Sequence, residues 1–208
     1  MREYHKIETL FERDIEGSKK LIEGKFRNEA VEYLKNCEWV FTEKIDGTNI
    51  RVYWDGHKVT FGGRTDRSQI PAPLVNYLNS AFGGVENEEL FEQTFGEKEV
   101  ILFGEGYGKG IQKGGLYRSD VSFILFDVMV GDMWLKRESV EDIAQTFSIE
   151  VVPIVGVGTI AQAVEFVKSR PMSTIGTAPM EGVVARPRVE INDRTGRRMI
   201  VKIKAVDF

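Results

Sequence analysis

The stretch Glu43–Asn49, EKIDGTN, sets a lysine two residues ahead of an Asp-Gly turn. Apolar and β-branched residues flank it, WVFT before and NIRVYW after, so Lys44 is expected at the end of one strand where the chain turns into the next, its amine at the lip of a pocket. An exposed hairpin with a solvated lysine fits the same seven residues, because a short motif selects weakly. Lys202 and Lys204 alternate with Ile and Val in IVKIKAV, which puts both amines on one face of a strand. Acids stand at apolar strands in three places: Glu105 after VILFG, Asp127 within SFILFDVMV, and Glu181 ahead of GVVARP. An acid just after an apolar strand is placed at a site more often than a glutamate in mid-loop is. Arg64 follows two glycines. Six glycines between Gly104 and Gly115 accompany Lys109 and Lys113, a composition that lets backbone amides and amines approach phosphates or makes an ordinary flexible loop. Neither GxGxxG nor GxxxxGK[ST] fits it.

Composition narrows the chemistry. The histidines are His5 and His57 alone, which argues against a histidine-rich metal site or a Ser-His-Asp triad. Cys37 is the single cysteine, so there is no internal disulfide, and neither CxxC nor HExxH is present for zinc. A net charge of −4 gives no global pull toward polyanions, so any nucleic-acid binding needs a local basic patch. The start, MREYHKIETL, lacks a signal-peptide core, and the best apolar run is broken by Asp127, so an intracellular, reducing location without membrane insertion is expected.

The elements that must position these residues follow from periodicity. Residues 1–27 read as an arm packed on the body, and Asn28 as the cap of a short helix leading to a strand over Trp39–Lys44. Asp55-Gly56 marks a hairpin between NIRVYW and KVTF. Pro71–Ala81, Glu86–Phe95, Glu138–Phe147 and Thr159–Ser169 have helical spacing. Strands are expected over Glu99–Phe103, with Glu105 in the loop beyond it, over Ser122–Val130 with Phe126 in the core, and over Ile149–Val155.

Taken in order, KIDGTN, GGRT, LFGEG, FILFDV, EGVVARP and VKIK resemble the six ordered blocks of the lysine-adenylating nucleotidyltransferases: DNA ligases, RNA ligases and mRNA capping enzymes. The resemblance spans residues of about 39 to 204. TEKIDGTN and FGEGYGKGIQKGGLY look closest to ATP-dependent RNA ligases of the phage nick-sealing and trypanosome RNA-editing type, although several of those carry His where this chain has Asp46. A DNA ligase, a capping guanylyltransferase and a non-catalytic nucleic-acid-binding relative are the alternatives.

The resemblance implies an α+β fold with mostly antiparallel sheets flanked by helices. It implies a nucleotidyltransferase (adenylation) domain, expected as one domain over 1–208; chain-sealing relatives usually continue past the KxK block into a second domain, and as a departure from them only Ala205–Phe208 follow here, so no C-terminal accessory domain is expected in this chain. Similar enzymes attack the α-phosphorus of ATP with the motif lysine, release pyrophosphate, pass the AMP to an RNA 5′-phosphate, and let a 3′-hydroxyl displace it. Lys44 is then the nucleophile. An ordinary lysine amine, pKa ~10.4, is neutral in roughly one molecule in 2,500 at pH 7, so full activation is a problem of roughly 4 to 5 kcal/mol. Neighbouring cations and a metal are the means of meeting it, and Lys202 and Lys204 fit that role while also neutralising charge on the α-phosphate. By the same carry-over, Glu43 belongs to the nucleotide site, Asn49 and Arg64 hold the ribose and RNA end, Glu105 accepts from a ribose hydroxyl, and Phe126 stacks on adenine. Glu181, supported by Asp127, faces Mg2+ or Mn2+. Arg186, Lys109 and Lys113, with Arg118, Arg188, Arg194, Arg197 and Arg198, are phosphate contacts for RNA ends in a nicked duplex or single strand. A cytoplasmic monomer is expected, in the host-cell cytoplasm if phage-encoded.

Overall fold

The computed structural model describes residues 1–208. In chain order the elements are β1 (Glu8–Thr9), β2 (Phe11–Arg13), β3 (Leu21–Phe26), α1 (Glu29–Tyr33), β4 (Trp39–Glu43), β5 (Thr48–Trp54), β6 (Val59–Gly62), α2 (Ala72–Phe82), α3 (Val85–Phe95), β7 (Val100–Gly108), β8 (Val121–Val130), β9 (Met133–Trp134), α4 (Arg137–Thr146), β10 (Glu150–Val151), β11 (Ile154–Gly158), α5 (Ile160–Lys168), β12 (Gly182–Pro187) and β13 (Val201–Lys204). They are mostly antiparallel sheets with helices, the expected α+β class. The expectation of one domain over 1–208 meets a chain of two compact units, each with its own sheet and core: Met1–His5 with Asp46–Val152, and Lys6–Ile45 with Pro153–Phe208. No helix is long and apolar enough to cross a membrane.

The unit that starts at Lys6 holds a sheet of order β1-β13-β12-β4-β11, antiparallel except for the β1–β13 pair. Alternation gives each strand one apolar face: Trp39 and Phe41, Val183 and Ala185, Val201 and Ile203 are buried together. The cover is α5, whose Ile160, Ala163, Val164 and Val167 recur at helical spacing on one side. Its start is fixed by Thr159, which accepts from the Gln162 amide while the Gln162 side chain accepts from the Thr159 amide. Each such fully buried aliphatic side chain contributes about 1.5–3 kcal/mol. Residues 1–27 are more than an arm, because β1 adds a strand to this sheet and β2 and β3 pair with each other.

The other unit holds β10-β8-β7-β5-β6, with β9 on β8. Ile50, Val52 and Trp54 of β5, Val100 and Leu102 of β7, and Phe123, Leu125 and Val128 of β8 face α2, α3 and α4 across the main core. The expected Asp-Gly hairpin joins β5 to β6, with Asp55 accepting from the His57 and Lys58 amides and Gly56 at φ +97°.

Two expectations are corrected here. The single strand over Ile149–Val155 is two, β10 paired with β8 and β11 paired with β4, separated at Val152 and Pro153. The glycine-rich segment is not all loop: β7 runs on through Glu105 to Gly108, paired on both sides. Glycine is needed there for close approach. A Cβ on Gly104 would run into the Phe123 ring, and one on Gly106 into Leu74.

Candidate functional site

On β4 the burial alternates, with Trp39, Phe41 and Glu43 buried and Val40, Thr42 and then Lys44 directed the other way. The register sets Thr42 opposite Val184 and Val184 opposite Lys202, while Gly182 stands opposite Lys204. Lys44, Lys202 and Lys204 therefore share the outer face of one sheet, as the KxK spacing predicts. Glu181 enters just before β12 and ties this face together. Its Oε2 accepts from Lys44 Nζ at 2.5 Å and its Oε1 from Lys204 Nζ at 2.9 Å, with both lysines and the glutamate partly exposed. The main chain seals the arrangement: the Lys44 amide donates to Gly182 O at 3.0 Å and the Ala205 amide to Glu181 O at 2.9 Å. Gly182 has φ +155°, and a Cβ there would collide with the Ile203 carbonyl, so a glycine must follow this glutamate. Arg186 follows on β12, near Glu190 at 3.7 Å.

Glu43 lies on the opposite side of β4 from Lys44. It was expected to serve the nucleotide, but the strand alternation that turns Lys44 outward turns Glu43 inward, where it is 1% exposed. Its Oε1 accepts from Ser173 Oγ at 2.5 Å, and its Oε2 from the Thr174 amide at 2.9 Å and Thr174 Oγ1 at 2.6 Å. Three donors thus meet its two oxygens.

In the unit that holds β5, β7 and β8, a second face lies away from the main core. Asn49 stands opposite Glu105 and Arg51 opposite Phe103, so these four share that face. Between Phe103 and Gly104 the β7–β8 register slips by one residue: Phe103 pairs with Asp127 and Gly104 with Leu125. Phe126 is the extra residue of this bulge. With Leu125 and Val128 both in the main core, Phe126 and Asp127 are both turned to the second face, which regular alternation forbids. Phe126 is half-buried, its ring edge-on to Tyr4 at 5.0 Å. Asp127 is fully buried and accepts from Tyr4 Oη at 2.6 Å. The carboxylate expected to support the metal side thus lies enclosed beside a tyrosine. Asn49 Oδ1 is buried and has no hydrogen-bond partner.

Arg51, on the same face, carries no signal in the sequence. It is fully buried, and its guanidinium donates to Gly63 O at 2.7 Å, Met1 O at 2.9 Å, Arg2 O at 3.3 Å and Asp66 Oδ1 at 2.9 Å. These bonds fasten the turn that carries the exposed Arg64. The sequence conceals this, because Arg51 alternates with Ile50 and Val52 and so reads as an outward, solvated cation.

Many of the expected phosphate contacts are spent on protein acids. Arg118 forks onto Asp120 at 2.6 and 3.0 Å and lies 3.5 Å from Glu150; Arg188 meets Glu38 at 2.6 Å; Arg198 meets Glu190 at 2.9 Å. Lys109 and Lys113 are exposed on the loop between β7 and β8, whose ends are joined by the Lys109 amide to Asp120 O. Tyr107 at the loop's base donates to Glu150 at 2.5 Å, and burial, with that carboxylate, pushes Tyr107 up to about 12. Tyr117 accepts from the Asp46 amide at 3.3 Å, bracing the Asp-Gly turn.

No group of three or more His, Cys, Asp or Glu side chains converges on a common point. A metal that draws most of its ligands from phosphate and water, with one or two protein carboxylates, is the kind these residues suit, and Mg2+ is such an ion.

A model of the RNA ligase family matches residues 37–204. Among solved structures, Naegleria gruberi RNA ligase with PPi is 18% identical, over 98% of this chain and 62% of that one, at a TM-score of 0.65. A lysine-to-alanine variant of the same enzyme with ATP and Mn is 19% identical, over 86% of this chain and 52% of that one, at 0.64. A further variant, with AMP and Mn, is 18% identical over 96% and 61%, also at 0.64. The chain thus spans between about half and three fifths of the length of these chains, and the likeness is one of fold.

Proposed function

This chain belongs to the RNA ligase family, and on that premise we propose that it is an ATP-dependent RNA ligase joining 5′-phosphate and 3′-hydroxyl ends through an AMP held on Lys44. The observation that carries the reading is the outer sheet face where Lys44 and Lys204 meet on the two oxygens of Glu181, with Lys202 on the same face. In this reading Lys44 gives up a proton to solvent and its neutral amine attacks the α-phosphorus of ATP; the N–P bond forms as the bond between that phosphorus and the oxygen bridging to the β-phosphate breaks, pyrophosphate leaves, and the nitrogen loses its second proton to solvent. An RNA 5′-phosphate oxygen then displaces Lys44 to give an RNA-adenylate. A 3′-hydroxyl attacks the 5′-phosphorus, AMP leaves, and the strand is joined.

The residues supply three things. Lys204 and Lys202 offset negative charge that grows on the α-phosphate, the effect for which preorganised cations are worth most. Glu181 holds Lys44 in place and, once Lys44 swings to phosphorus, frees an oxygen for a divalent cation. Mg2+ or Mn2+ held by Glu181 and the triphosphate would draw charge from the phosphates; structures of Naegleria gruberi RNA ligase with ATP and Mn support that expectation. Asn49 Oδ1, buried without a partner beside Glu105, suits a hydroxyl donor of the ribose, since an unmet buried acceptor costs about 1–3 kcal/mol. Phe126 would stack on adenine, and Arg64, Arg186, Lys109 and Lys113 would meet RNA phosphates. Asp127 is retained as the support of Tyr4 under Phe126 rather than as a metal ligand. The same reading makes the protein a cytoplasmic monomer.

The test is intact mass after incubation with ATP and magnesium, beside GTP and Lys44→Ala, with prior pyrophosphate treatment to strip any AMP already attached. One AMP on the wild type, absent with GTP and in the variant, is expected. Joining assays with RNA and DNA strands then assign the ends, and a wild type that never takes AMP would reject the reading.

A further inference from the structure

Glu43 and Lys44 are neighbours on one strand, and the segments they hold are neighbours too. Glu43 binds Ser173 and Thr174, while Lys44 binds Glu181, where the chain from that segment reaches β12. The intervening segment is closed on itself: the Ser173 amide donates to Ala178 O at 2.8 Å, the Met180 amide to Pro171 O at 2.9 Å, and Met172 bridges Pro179. It cannot slide along without breaking these bonds. A buried carboxylate is costly unless its oxygens are met by donors, and here three donors meet them, in charge-assisted bonds stronger than neutral ones. Nothing in the core of this sheet requires a charge at position 43, since its cross-strand neighbour is Val183. What the charge does is lock the residue before the nucleophile to the segment before its ion-pair partner.

We infer that Glu43, Ser173 and Thr174 form a clasp that positions Lys44 against Glu181, making Glu43 a positioning residue for nucleotide transfer rather than a nucleotide ligand. The inference rests on the ligase reading for its consequence, and on the geometry of one unit for its existence. The clasp holds through a surface segment, for Thr174 is exposed and Ser173 half-buried. It can therefore be loosened without opening the core.

The experiment compares wild type, Thr174→Ser, the Ser173→Ala/Thr174→Val double variant and Glu43→Gln. For each, the rate of AMP attachment is followed across ATP concentrations beside the melting temperature and amide exchange of the 171–180 peptide. The double variant is expected to melt lower, because two of the three donors to a buried carboxylate are gone, and to lose at least tenfold in maximal rate per folded molecule with half-saturating ATP unchanged. Thr174→Ser, which keeps the hydroxyl, retains the wild-type rate. Glu43→Gln, which sets an amide donor against donors, loses more and exchanges the Thr174 amide faster. A rise in half-saturating ATP at unchanged maximal rate would overturn the inference by making Glu43 act on the nucleotide. A fall in melting temperature at unchanged rate per folded molecule would overturn it by leaving only a structural role. A wild type that takes no AMP rejects the ligase reading instead; in that case exchange decides whether the clasp exists, and protection that survives in Glu43→Gln refutes it.

Discussion

The outer face of β4, β12 and β13 and the second face of β5, β7 and β8 both carry polar residues on a sheet, but they manage charge differently. On the first, Lys44, Glu181 and Lys204 keep 18–30% of their side-chain surface exposed and pair with each other. On the second, Arg51 and Asp127 have no exposed surface at all, and each depends on partners far along the chain: Met1 and Asp66 for the arginine, Tyr4 for the aspartate. A charge that keeps some water needs only the right parity on a regular strand. A charge that loses its water needs a complete set of partners, because desolvation must be offset bond by bond.

Substitutions sharpen that contrast. The largest expected effect is on the first face, where Lys44→Ala abolishes the AMP adduct in the mass spectrum while leaving the melting temperature near wild type. Glu181→Ala is expected to slow AMP attachment by about 10²–10³-fold with little loss of stability, the size typical of removing one preorganised charge at a reacting centre. Next is the second face: Arg51→Met takes the donor from the Gly63 and Met1 carbonyls and should cost about 1–3 kcal/mol, read by denaturant unfolding. An Arg51 variant as stable as wild type would erase the distinction between the faces. Phe126→Ala, which removes the bulged ring, should raise half-saturating ATP roughly tenfold, within the range for one base–aromatic stack.

The smallest effect belongs to Tyr107→Phe, and it is read in alkali as a difference in the slope of stability against pH. The folded-state value of Tyr107 is about 12 against 10.0 for a free tyrosine, raised first by burial and then by the bond to Glu150. The tyrosine proton is therefore held more tightly in the folded protein. Its contribution is fully present below pH 10 and is lost as pH rises toward 12. Wild type should thus lose stability more steeply than Tyr107→Phe across that interval, by about 2–3 kcal/mol at most, and parallel pH–stability curves would contradict the shift.

The first face was legible for a physical reason. Strand parity is a period of two, so VKIK sets Lys202 and Lys204 together and WVFTEK sets Lys44 apart from Phe41. The same parity, applied one residue earlier, places Glu43 with Trp39 and Phe41 on the core side; that signal was present and outweighed by the resemblance. The second face was less legible because its decisive features break local rules. Phe126 and Asp127 share a side only through a bulge, and Glu105 lies in a strand only because glycines admit Phe123 and Leu74.

By itself, then, the sequence determined that Lys44 ends a strand, that Lys202 and Lys204 share a face, that an acid precedes β12 and where the main helices run, all features carried by spacing within a few residues; the mostly antiparallel class came through the resemblance of the ordered blocks. Tertiary structure alone decided which charges are buried and what meets them: Glu43 with Ser173 and Thr174, Arg51 with Met1 and Asp66, Asp127 with Tyr4. These partners lie between 15 and 131 residues apart in the chain. No local periodicity reports on such pairs, because what selects them is the cost of leaving a polar group unmet after water has gone.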